Sequence, residues 1–407
     1  MWFFVIYLDL KPIYSIEYSI PYLLLAFLFL SLSYYEYKCQ NSKCFVRAFC
    51  VILFLFFYGF RGFVGWDWQG YYPIFEAMDT LLNFSSNSFF VVTTTGKELD
   101  VIEPGYIIYQ SIIKTVFDNW HFFILISVCI DALVLDRFFC RYSPNYAFSF
   151  FVLVSLHSVL ECDLLRNVKA IMIFLISIDY LYKRKWFVLA FLTILGVSFH
   201  RSYLLYLPFY FIGFRNFGLK FWLVLFVAAN FIYLFRIPIV SSFVLPCVSK
   251  LGETISDKVD AYAASDIYSV SRGFTLGYFM RVFLFLAIIY KYDKIIADNK
   301  NIIIVNLFLT YVIANLGMTE MRILSDRMEL SIGFVLWIIL PLLPCFYTRK
   351  TNKKIIIALV LFFCIFKVII LYNDAMWEYE NVLFGAVNYD HRYATHRAIA
   401  EEIFNDI

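Results

Sequence analysis

The amino-acid sequence predicts an all-α polytopic membrane protein with about 12 transmembrane helices, roughly 11–14, since each crossing takes ~20 mostly apolar residues. Of the 407 residues, 62% are hydrophobic and only 16% are charged, whereas soluble domains are closer to half apolar and a quarter charged. The net charge of +3 is too small to favour a nucleic-acid partner. The nine cysteines include no C-x-x-C pair, which favours buried thiols over metal or disulfide sites.

Twelve apolar runs of the sequence are predicted as spans. No internal repeat is visible among them, so the sequence does not support an inverted-repeat transporter. The predicted spans are 17–35, 45–61, 121–138, 145–160, 164–182, 186–200, 202–214, 219–236, 275–291, 301–317, 328–347 and 354–372.

The basic loops between the spans set the orientation, because Lys and Arg collect on the cytoplasmic side of a membrane. With these spans all six basic loops fall on one side, and both termini face outward. An additional crossing by residues 103–117 would move every later basic loop outside, so this stretch is predicted as an external, interfacial or re-entrant helix. The chain is then one membrane domain over 1–372, with external loops at about 62–120 and 237–274, followed by an external tail over 373–407.

The informative cations are those on the outward side or at membrane depth. Each costs ~2.5–3.5 kcal/mol to insert, which makes it a candidate for a functional site. One arginine alone could reach the outer head groups, or pair with a carboxylate such as Asp67 or Asp163. Several at separate helix ends favour a shared anionic ligand, since guanidinium groups bind diphosphate and carboxylate oxygens in bidentate fashion. The candidate diphosphate ligands are Arg61, Arg166, Arg281, Arg322 and Arg327, and Arg272 is predicted on the same side.

Aromatic and acidic residues near these arginines are candidates for binding sugars. A role as interfacial anchors fits the aromatic residues equally well. Glu103 could orient Arg61 or hydrogen-bond a sugar; as a simple helix start it would place Pro104 at the first helical position. The candidate stacking platforms for sugar rings are Trp66, Trp68, Tyr71 and Tyr72.

No metal or cofactor is expected from the sequence. It has no D-x-D, no H-E-x-x-H and no pair of histidines four residues apart on an apolar helix. His391 and His396, in the tail, are expected to be solvated. Gly59, Gly62 and Gly65 do not follow a strand, so their spacing predicts a tight turn or close helix packing rather than a nucleotide-binding loop.

The stretch YGFRGFVGWDWQGYYPIFE (58–76) resembles the EpsG-like branch of the Wzy-type polymerases of O-antigen, capsule or exopolysaccharide. That family has an R-x-x-x-G-x-D-x-x-x-Y pattern at the end of its second helix. The pattern falls here on Arg61, Gly65, Asp67 and Tyr71.

Further elements follow in the family's order over about residues 45–345. EPGYIIY (103–109) resembles the family's E-P-G-aromatic element, and later segments resemble its R-Q-x-x-A helix and its F-H-x-S-A-L element. In the R-Q-x-x-A helix the matching residues are Arg166 and Ala170, and Asn167 stands where glutamine is usual. In the F-H-x-S-A-L element they are His200 and Ser202, and Tyr203 stands where a small residue is usual. A late arginine-containing element is matched loosely by Arg322 and Arg327.

The resemblance implies a multi-pass glycosyltransferase of the GT-C type in the bacterial cytoplasmic (inner) membrane, with its active site on the periplasmic or outer face. It would polymerise undecaprenyl-diphosphate-linked oligosaccharides without metal or cofactor, beside a chain-length regulator and a flippase of the same pathway. One rival interpretation is a flippase or transporter of the same units, which should carry charges deep in mid-span. Another is a membrane O-acetyltransferase, which keeps its histidine on the cytoplasmic side.

The mechanism expected from this resemblance is direct, inverting displacement at the anomeric carbon. A base must take the proton of the acceptor hydroxyl. His200 has a suitable unperturbed pKa of ~6.5; Asp67 is the alternative, because apolar tryptophans on either side would raise the pKa of its carboxyl. The sequence does not choose between them. The arginines expected to stabilise the departing diphosphate are Arg61, Arg166 and Arg322, then Arg327 and Arg281.

Overall fold

The computed structural model describes residues 13–39, 43–89, 102–244 and 274–405. Arg272 and most of the predicted loop 237–274 lie outside the described residues. The described chain is helical and contains two isolated β-bridges instead of a sheet, Tyr14 with Asp374 and Arg61 with Asn381.

Apolar and aromatic runs form the α-helices, since a helix satisfies all its interior backbone hydrogen bonds within one segment. In chain order these helices are α1 Ile16–Lys38, α2 Lys43–Phe54, α3 Trp68–Ala77, α4 Pro104–Val116, α5 Trp120–Tyr142, α6 Tyr146–Cys162, α7 Leu165–Tyr182, α8 Trp186–Phe199, α9 Leu207–Ile212, α10 Leu219–Phe235, α11 Leu276–Tyr290, α12 Tyr292–Ile296, α13 Asn299–Gly317, α14 Arg322–Ile332, α15 Leu336–Leu342, α16 Lys350–Leu371 and α17 Tyr389–Asn405.

Each of the predicted spans coincides with a helical segment, but several of these segments are irregular, including α6, which is kinked at His157. Helix α2 continues into a π-helical turn, Leu55–Gly59. A 3₁₀ segment, Arg201–Tyr206, leads into α9. Helix α15 contains Pro341 and is flanked by the 3₁₀ turns Gly333–Val335 and Leu343–Phe346.

Within the described part of the chain, four helices are long and apolar enough to cross a membrane: Ile16–Lys38, Asn299–Gly317, Leu324–Phe346 and Lys350–Leu371. Four shorter apolar helices, α6, α8, α10 and α11, accompany them. The prediction of an all-α membrane protein is therefore confirmed. The count of 12 crossings and the GT-C arrangement stay predictions.

The stretch expected to lie outside the membrane forms helix α4. Glu103 is its N-terminal cap residue and Pro104 its first residue, so the helix-start interpretation of Glu103 is confirmed. Lys114, near the end of α4, donates to the carbonyls of Phe75 at 2.8 Å and Glu76 at 2.7 Å. A buried cation thus satisfies the last carbonyls of α3 and ties α3 to α4.

The chain divides into two compact units, each with an aromatic core. In the first, Tyr22 stacks on Tyr372 with ring centroids 4.4 Å apart. In the second, Phe174 stacks on Tyr206 at 4.2 Å. The first unit comprises Met1–Asp136, Phe150–Val168 and Cys364–Ile407, and the second comprises Arg137–Ser149 and Lys169–Phe363.

Several segments of the first unit are joined by hydrogen bonds. The start of α1 meets the tail where the Ser15 N–H donates to the Asn373 carbonyl at 2.8 Å. The loop after α2 meets the same tail through the Gly65 N–H and the Met376 carbonyl, 2.9 Å apart. The turn between α6 and α7 joins this loop through Asp163. The predicted site residues of this unit lie among these segments.

Candidate functional site

The loop between α2 and α3 turns sharply at Gly65. Its φ of +94° is a left-handed conformation that residues with a side chain rarely adopt. The Trp68 indole N–H donates to the Gly65 carbonyl at 3.0 Å, which closes the turn at the start of α3. The predicted tight turn at this glycine is therefore present.

Asp163, in the turn between α6 and α7, holds this loop in place. It is 5% exposed, and its Oδ1 accepts from the backbone N–H of Trp66 at 2.6 Å and of Asp67 at 3.0 Å. Burial raises the pKa of the Asp163 carboxyl, and the charge of Asp67 adds to the increase. Sequence reasoning named Asp163 only as a possible ion-pair partner.

Arg166, at the start of α7, brings three elements together. Its Nη1 lies 2.7 Å from Oε2 of Glu103, the cap residue of α4. Its Nε donates to the Tyr71 hydroxyl of α3 at 3.3 Å, and its guanidinium lies 5.6 Å from the centre of the Tyr71 ring. The Arg166 side chain is 25% exposed, and its Nη2 has no hydrogen-bond partner among the described residues. It is held firmly and keeps one donor group available.

Arg61 is placed differently from Arg166. It is 1% exposed, and its Nη2 donates to the Glu161 carbonyl at the end of α6 at 3.1 Å. Its backbone forms the bridge with Asn381 of the tail. A guanidinium that already binds backbone carbonyls and is covered on all sides has little reach toward a ligand. The sequence suggested that Glu103 could orient Arg61. In the structure the Glu103 carboxylate pairs with Arg166.

The acidic and aromatic residues of α3 differ in exposure. Asp67 is exposed at the start of the helix, so the expected apolar setting for its carboxylate is wrong: the Trp68 ring turns inward to reach Gly65, and Asp163 is the buried carboxylate. Trp68 is 1% exposed and Tyr71 8%. Trp66 and Tyr72 are half-buried, so part of each side chain is exposed.

In the second unit, His200 terminates α8 and caps the 3₁₀ segment that follows. Its Nδ1 lies 3.2 Å from the Ser202 N–H, which donates to it. The expected turn between two helices is present, and the histidine has a structural part in it. Its role as a base stays a prediction.

Three predicted arginines also belong to the second unit. Arg281 of α11 is 8% exposed, with Nη1 3.3 Å from Oε2 of Glu329 and 3.4 Å from the Tyr311 hydroxyl. The Arg322 side chain is 53% exposed, and its Nε lies 3.5 Å from Oδ2 of Asp326. Arg327 is exposed. Among the described residues, no three His, Cys, Asp or Glu side chains are grouped so that they could hold a metal ion.

A sequence model of the EpsG family matches residues 43–381, which is most of the chain. The chain belongs to the EpsG family. No curated protein and no solved structure matches it. EpsG membership supports a polysaccharide polymerase-like role in general, and the matched range includes every motif residue from Arg61 to Arg327.

The tail of this EpsG-family chain continues past the matched range and packs on the motif loop. Arg392 of α17 is 6% exposed. Its Nε donates to the Phe63 carbonyl at 3.2 Å, and its Nη1 lies 3.0 Å from Oε2 of Glu378. The Gly62 N–H donates to the Glu380 carbonyl at 2.9 Å. The tail therefore supports the loop that carries the EpsG motif.

His396 in the tail helix corrects a prediction. It was expected to be solvated, but it is 3% exposed, with its ring 5.7 Å from the Trp66 ring and 5.4 Å from the Trp68 ring. Burial, and then the charge of Arg392, lower its pKa to about 4. The sequence signal was present, since Arg392 and His396 are four residues apart on one face of a helix. His391 is exposed, as expected.

Proposed function

We propose that this EpsG-family protein joins polyprenyl-diphosphate-linked oligosaccharide repeat units on the outer face of the bacterial cytoplasmic membrane. The growing chain leaves its lipid diphosphate and is transferred, with inversion, to the non-reducing end of a second unit. The reaction needs no metal and no nucleotide sugar, because the diphosphate is already a good leaving group.

The observation that carries the proposal is the setting of Arg166. Its Nη1 and Nε are engaged by Glu103 and Tyr71, while Nη2 remains available on a side chain that is 25% exposed. A positioned guanidinium with a free donor suits a phosphate oxygen, to which it can form a charge-assisted hydrogen bond. Arg166 is therefore the proposed ligand of the departing diphosphate in the first unit.

The proton of the acceptor hydroxyl goes to Asp67 in this mechanism. Asp67 is the N-terminal cap residue of α3, and Tyr71, one turn further on, contacts Arg166. As the hydroxyl oxygen attacks the anomeric carbon, its proton passes to the Asp67 carboxylate. The bond from that carbon to the diphosphate oxygen breaks, and its electron pair stays on the diphosphate, where Arg166 offsets the charge. Nδ1 of His200 already accepts the Ser202 N–H, which favours Asp67 as the base.

The other predicted residues take supporting parts in the proposal. Arg61 and Asp163 hold the loop that carries Asp67. Trp66 and Tyr72 are the proposed ring platforms for a sugar, whereas Trp68 is buried. The exposed Arg322 and Arg327 keep their predicted role as diphosphate ligands, and Arg281 is engaged by Glu329. Variants of each test these roles separately.

The sidedness of the first unit supports an outward-facing reaction. The start of α1, the end of α2 and the tail are all predicted to face outward from the distribution of basic loops. The tail contacts both the start of α1 and the loop after α2, and that loop leads into α3, whose Tyr71 contacts Arg166. The basic segments have their own contacts elsewhere in the unit, such as Arg47 with Asp136.

An elongation assay tests the proposal. Lipid-linked repeat units are isolated from cells that lack the polymerase, and the purified protein should convert them into a ladder of longer glycans without added metal or nucleotide sugar. Replacement of Arg166 by alanine should lower the rate by about 10²–10³-fold, as for other groups that stabilise developing charge. Asp67→Asn should lower it by about 10²–10⁴-fold.

Arg47→Ala is the matched control, because Arg47 is also an arginine of the first unit paired with a carboxylate. It should elongate at close to the wild-type rate. A wild-type protein that moves these units across a vesicle membrane without joining them would contradict the polymerase and favour the flippase. Normal laddering by Arg166→Ala would remove this arginine from the site.

A further inference from the structure

Three tyrosines form a parallel row where the tail helix crosses α3. The rings of Tyr72 and Tyr389 lie 4.3 Å apart with 23° between their planes. Tyr389 and Tyr393, one turn apart on α17, lie 5.5 Å apart with 15° between their planes. All three side chains are half-buried. Part of each of these side chains is therefore exposed to solvent.

The base of the row is rigid. Phe63 meets Tyr72 edge-on at 5.3 Å and Tyr389 at 5.6 Å. The Trp68 ring lies 5.7 Å from Tyr389 at 87°. Tail and loop are fixed to each other by the buried Arg392, through the Phe63 carbonyl and Glu378. The row is therefore held in one geometry before any ligand binds, which reduces the entropy lost on binding.

Carboxylates flank the row. Glu76 on α3 and Asp390 on α17 are both exposed. Glu76 lies one turn after Tyr72 on α3, and Asp390 directly follows Tyr389 on α17. Burial, and then the charges of these two carboxylates, raise the pKa of the Tyr72 hydroxyl. An exposed carboxylate has several acceptor sites for hydroxyl hydrogens. Aromatic rings with a few fixed polar groups at their edge are typical of small-molecule sites.

The outer end of the row is Tyr393. Among the described residues, Tyr389 is the one aromatic residue whose ring contacts the Tyr393 ring, so the other face of Tyr393 has no aromatic partner there. Tyr72 directly follows Tyr71, which contacts Arg166. The row thus extends to α17 from α3, the helix that also contributes Tyr71 to the proposed reaction site.

We infer that the row of Tyr72, Tyr389 and Tyr393, with Glu76 and Asp390 beside it, is a saccharide-binding subsite that holds the acceptor chain. The inference rests on the proposed function, and adds to it a subsite that the tail helix builds. The C–H face of a sugar ring packs on the outer face of the Tyr393 ring, and the sugar hydroxyls donate to the carboxylates. The tail of this chain then determines how the acceptor is oriented as well as supporting the motif loop.

A binding experiment tests the subsite without elongation. The probe is the lipid-free repeat-unit oligosaccharide, released by mild acid from the lipid-linked preparation, and its affinity for the detergent-solubilised protein is measured by saturation-transfer NMR. Tyr393→Ala should weaken binding by about tenfold, while Tyr393→Phe, which keeps the ring, should stay within about twofold of wild type. The double variant Glu76→Gln, Asp390→Asn should weaken binding by about threefold or more.

The elongation assay supplies a second readout. Tyr393→Ala should raise the acceptor KM by about tenfold at unchanged kcat, because the row binds the acceptor and does not touch the reacting atoms. Equal affinity and equal KM for Tyr393→Ala and wild type would overturn the inference, as would a wild-type protein that does not bind the probe. A wild-type protein that binds the probe and does not elongate overturns the proposed function while leaving the subsite standing. Unchanged melting temperatures of the variants confirm that they are folded.

Discussion

A Cβ atom on Gly65 would lie 2.1 Å from Oδ1 of Asp163. The carboxylate therefore occupies the space that any side chain at position 65 would need. The same oxygen binds the two N–H groups that follow Gly65 in the chain. The R-x-x-x-G-x-D pattern thus requires glycine at this position because of Asp163, a residue that lies outside the pattern.

Gly65→Ala should lower the free energy of unfolding by about 2–4 kcal/mol. The left-handed φ costs about 1–2 kcal/mol for a residue with a side chain. Displacement of Asp163 also weakens hydrogen bonds to buried N–H groups, which costs about 1–3 kcal/mol. Thermal unfolding of the detergent-solubilised protein measures the loss.

Gly70→Ala is the matched control for this substitution. Gly70 lies inside α3, and a Cβ there would meet no atom within 4 Å. Alanine is the better helix former by about 0.5–1 kcal/mol, so this variant should be as stable as wild type or slightly more so. Equal losses at both positions would show that the Gly65–Asp163 contact has no special importance.

Asp163→Ala should destabilise the protein by about 1–3 kcal/mol, because it leaves the part-buried N–H groups of Trp66 and Asp67 without their acceptor. Asp163→Asn keeps an acceptor oxygen and should recover much of that loss. It should also recover part of the elongation rate, since Asp163 acts in the proposal by positioning the loop. An asparagine variant as unstable as the alanine variant would show that the carboxylate charge, and not the acceptor, is required.

The pH dependence of the protein's stability gives a separate test of Asp163. The native pKa of the Asp163 carboxyl is raised above its ordinary value near 3.9, so the native state keeps a proton that the unfolded chain loses. The contribution of this group to stability is therefore complete below about pH 4 and is lost as the pH rises toward the native pKa. The stability of wild type relative to Asp163→Asn should fall across that range. A difference that does not change with pH would contradict the raised pKa.

Arg392→Ala should release the tail from the motif loop. The substitution removes three hydrogen bonds, to the Phe63 carbonyl and to the side chain and carbonyl of Glu378. Limited proteolysis should then cut the tail faster, and elongation should slow because the loop that carries Asp67 loses its support. Arg397→Ala is the control on the same helix: its side chain is 64% exposed and pairs with an exposed Glu401, so its effect should stay within about 0.5 kcal/mol. Equal cleavage of both variants would contradict the anchoring role.

His396 should make the protein sensitive to mild acid. Its native pKa is lowered to about 4, below the ~6.5 of the unfolded chain, so the unfolded state binds the proton first. The contribution to stability is therefore complete above about pH 6.5 and is lost as the pH falls toward 4. His396→Phe keeps an aromatic ring against Trp66 and Trp68 without a titrating group. Wild type should lose stability relative to His396→Phe over this range, and parallel pH profiles would contradict a buried neutral histidine.

Much of the fold follows from local patterns. Apolar runs of about 20 residues predict helices, and the predicted spans coincide with helical segments. The E-P-G element correctly places a helix start at Glu103 and Pro104. The glycine of the motif correctly predicts a tight turn at Gly65. Each of these features is determined by residues that are adjacent in the chain, so a short stretch of sequence is enough to predict it.

The partners within the site do not follow from local patterns. Arg166 pairs with Glu103, and Asp163 accepts a hydrogen bond from the loop at Trp66. Arg392 donates to the Phe63 carbonyl. The members of each pair are far apart in the chain. Arg61 and Arg166 look alike as outward cations, yet one is 1% exposed and the other has a 25% exposed side chain. Burial and partnership depend on how helices and tail pack together. Composition and spacing identify the residues that carry charge; three-dimensional packing determines which of these charges are used to hold the fold and which face a ligand.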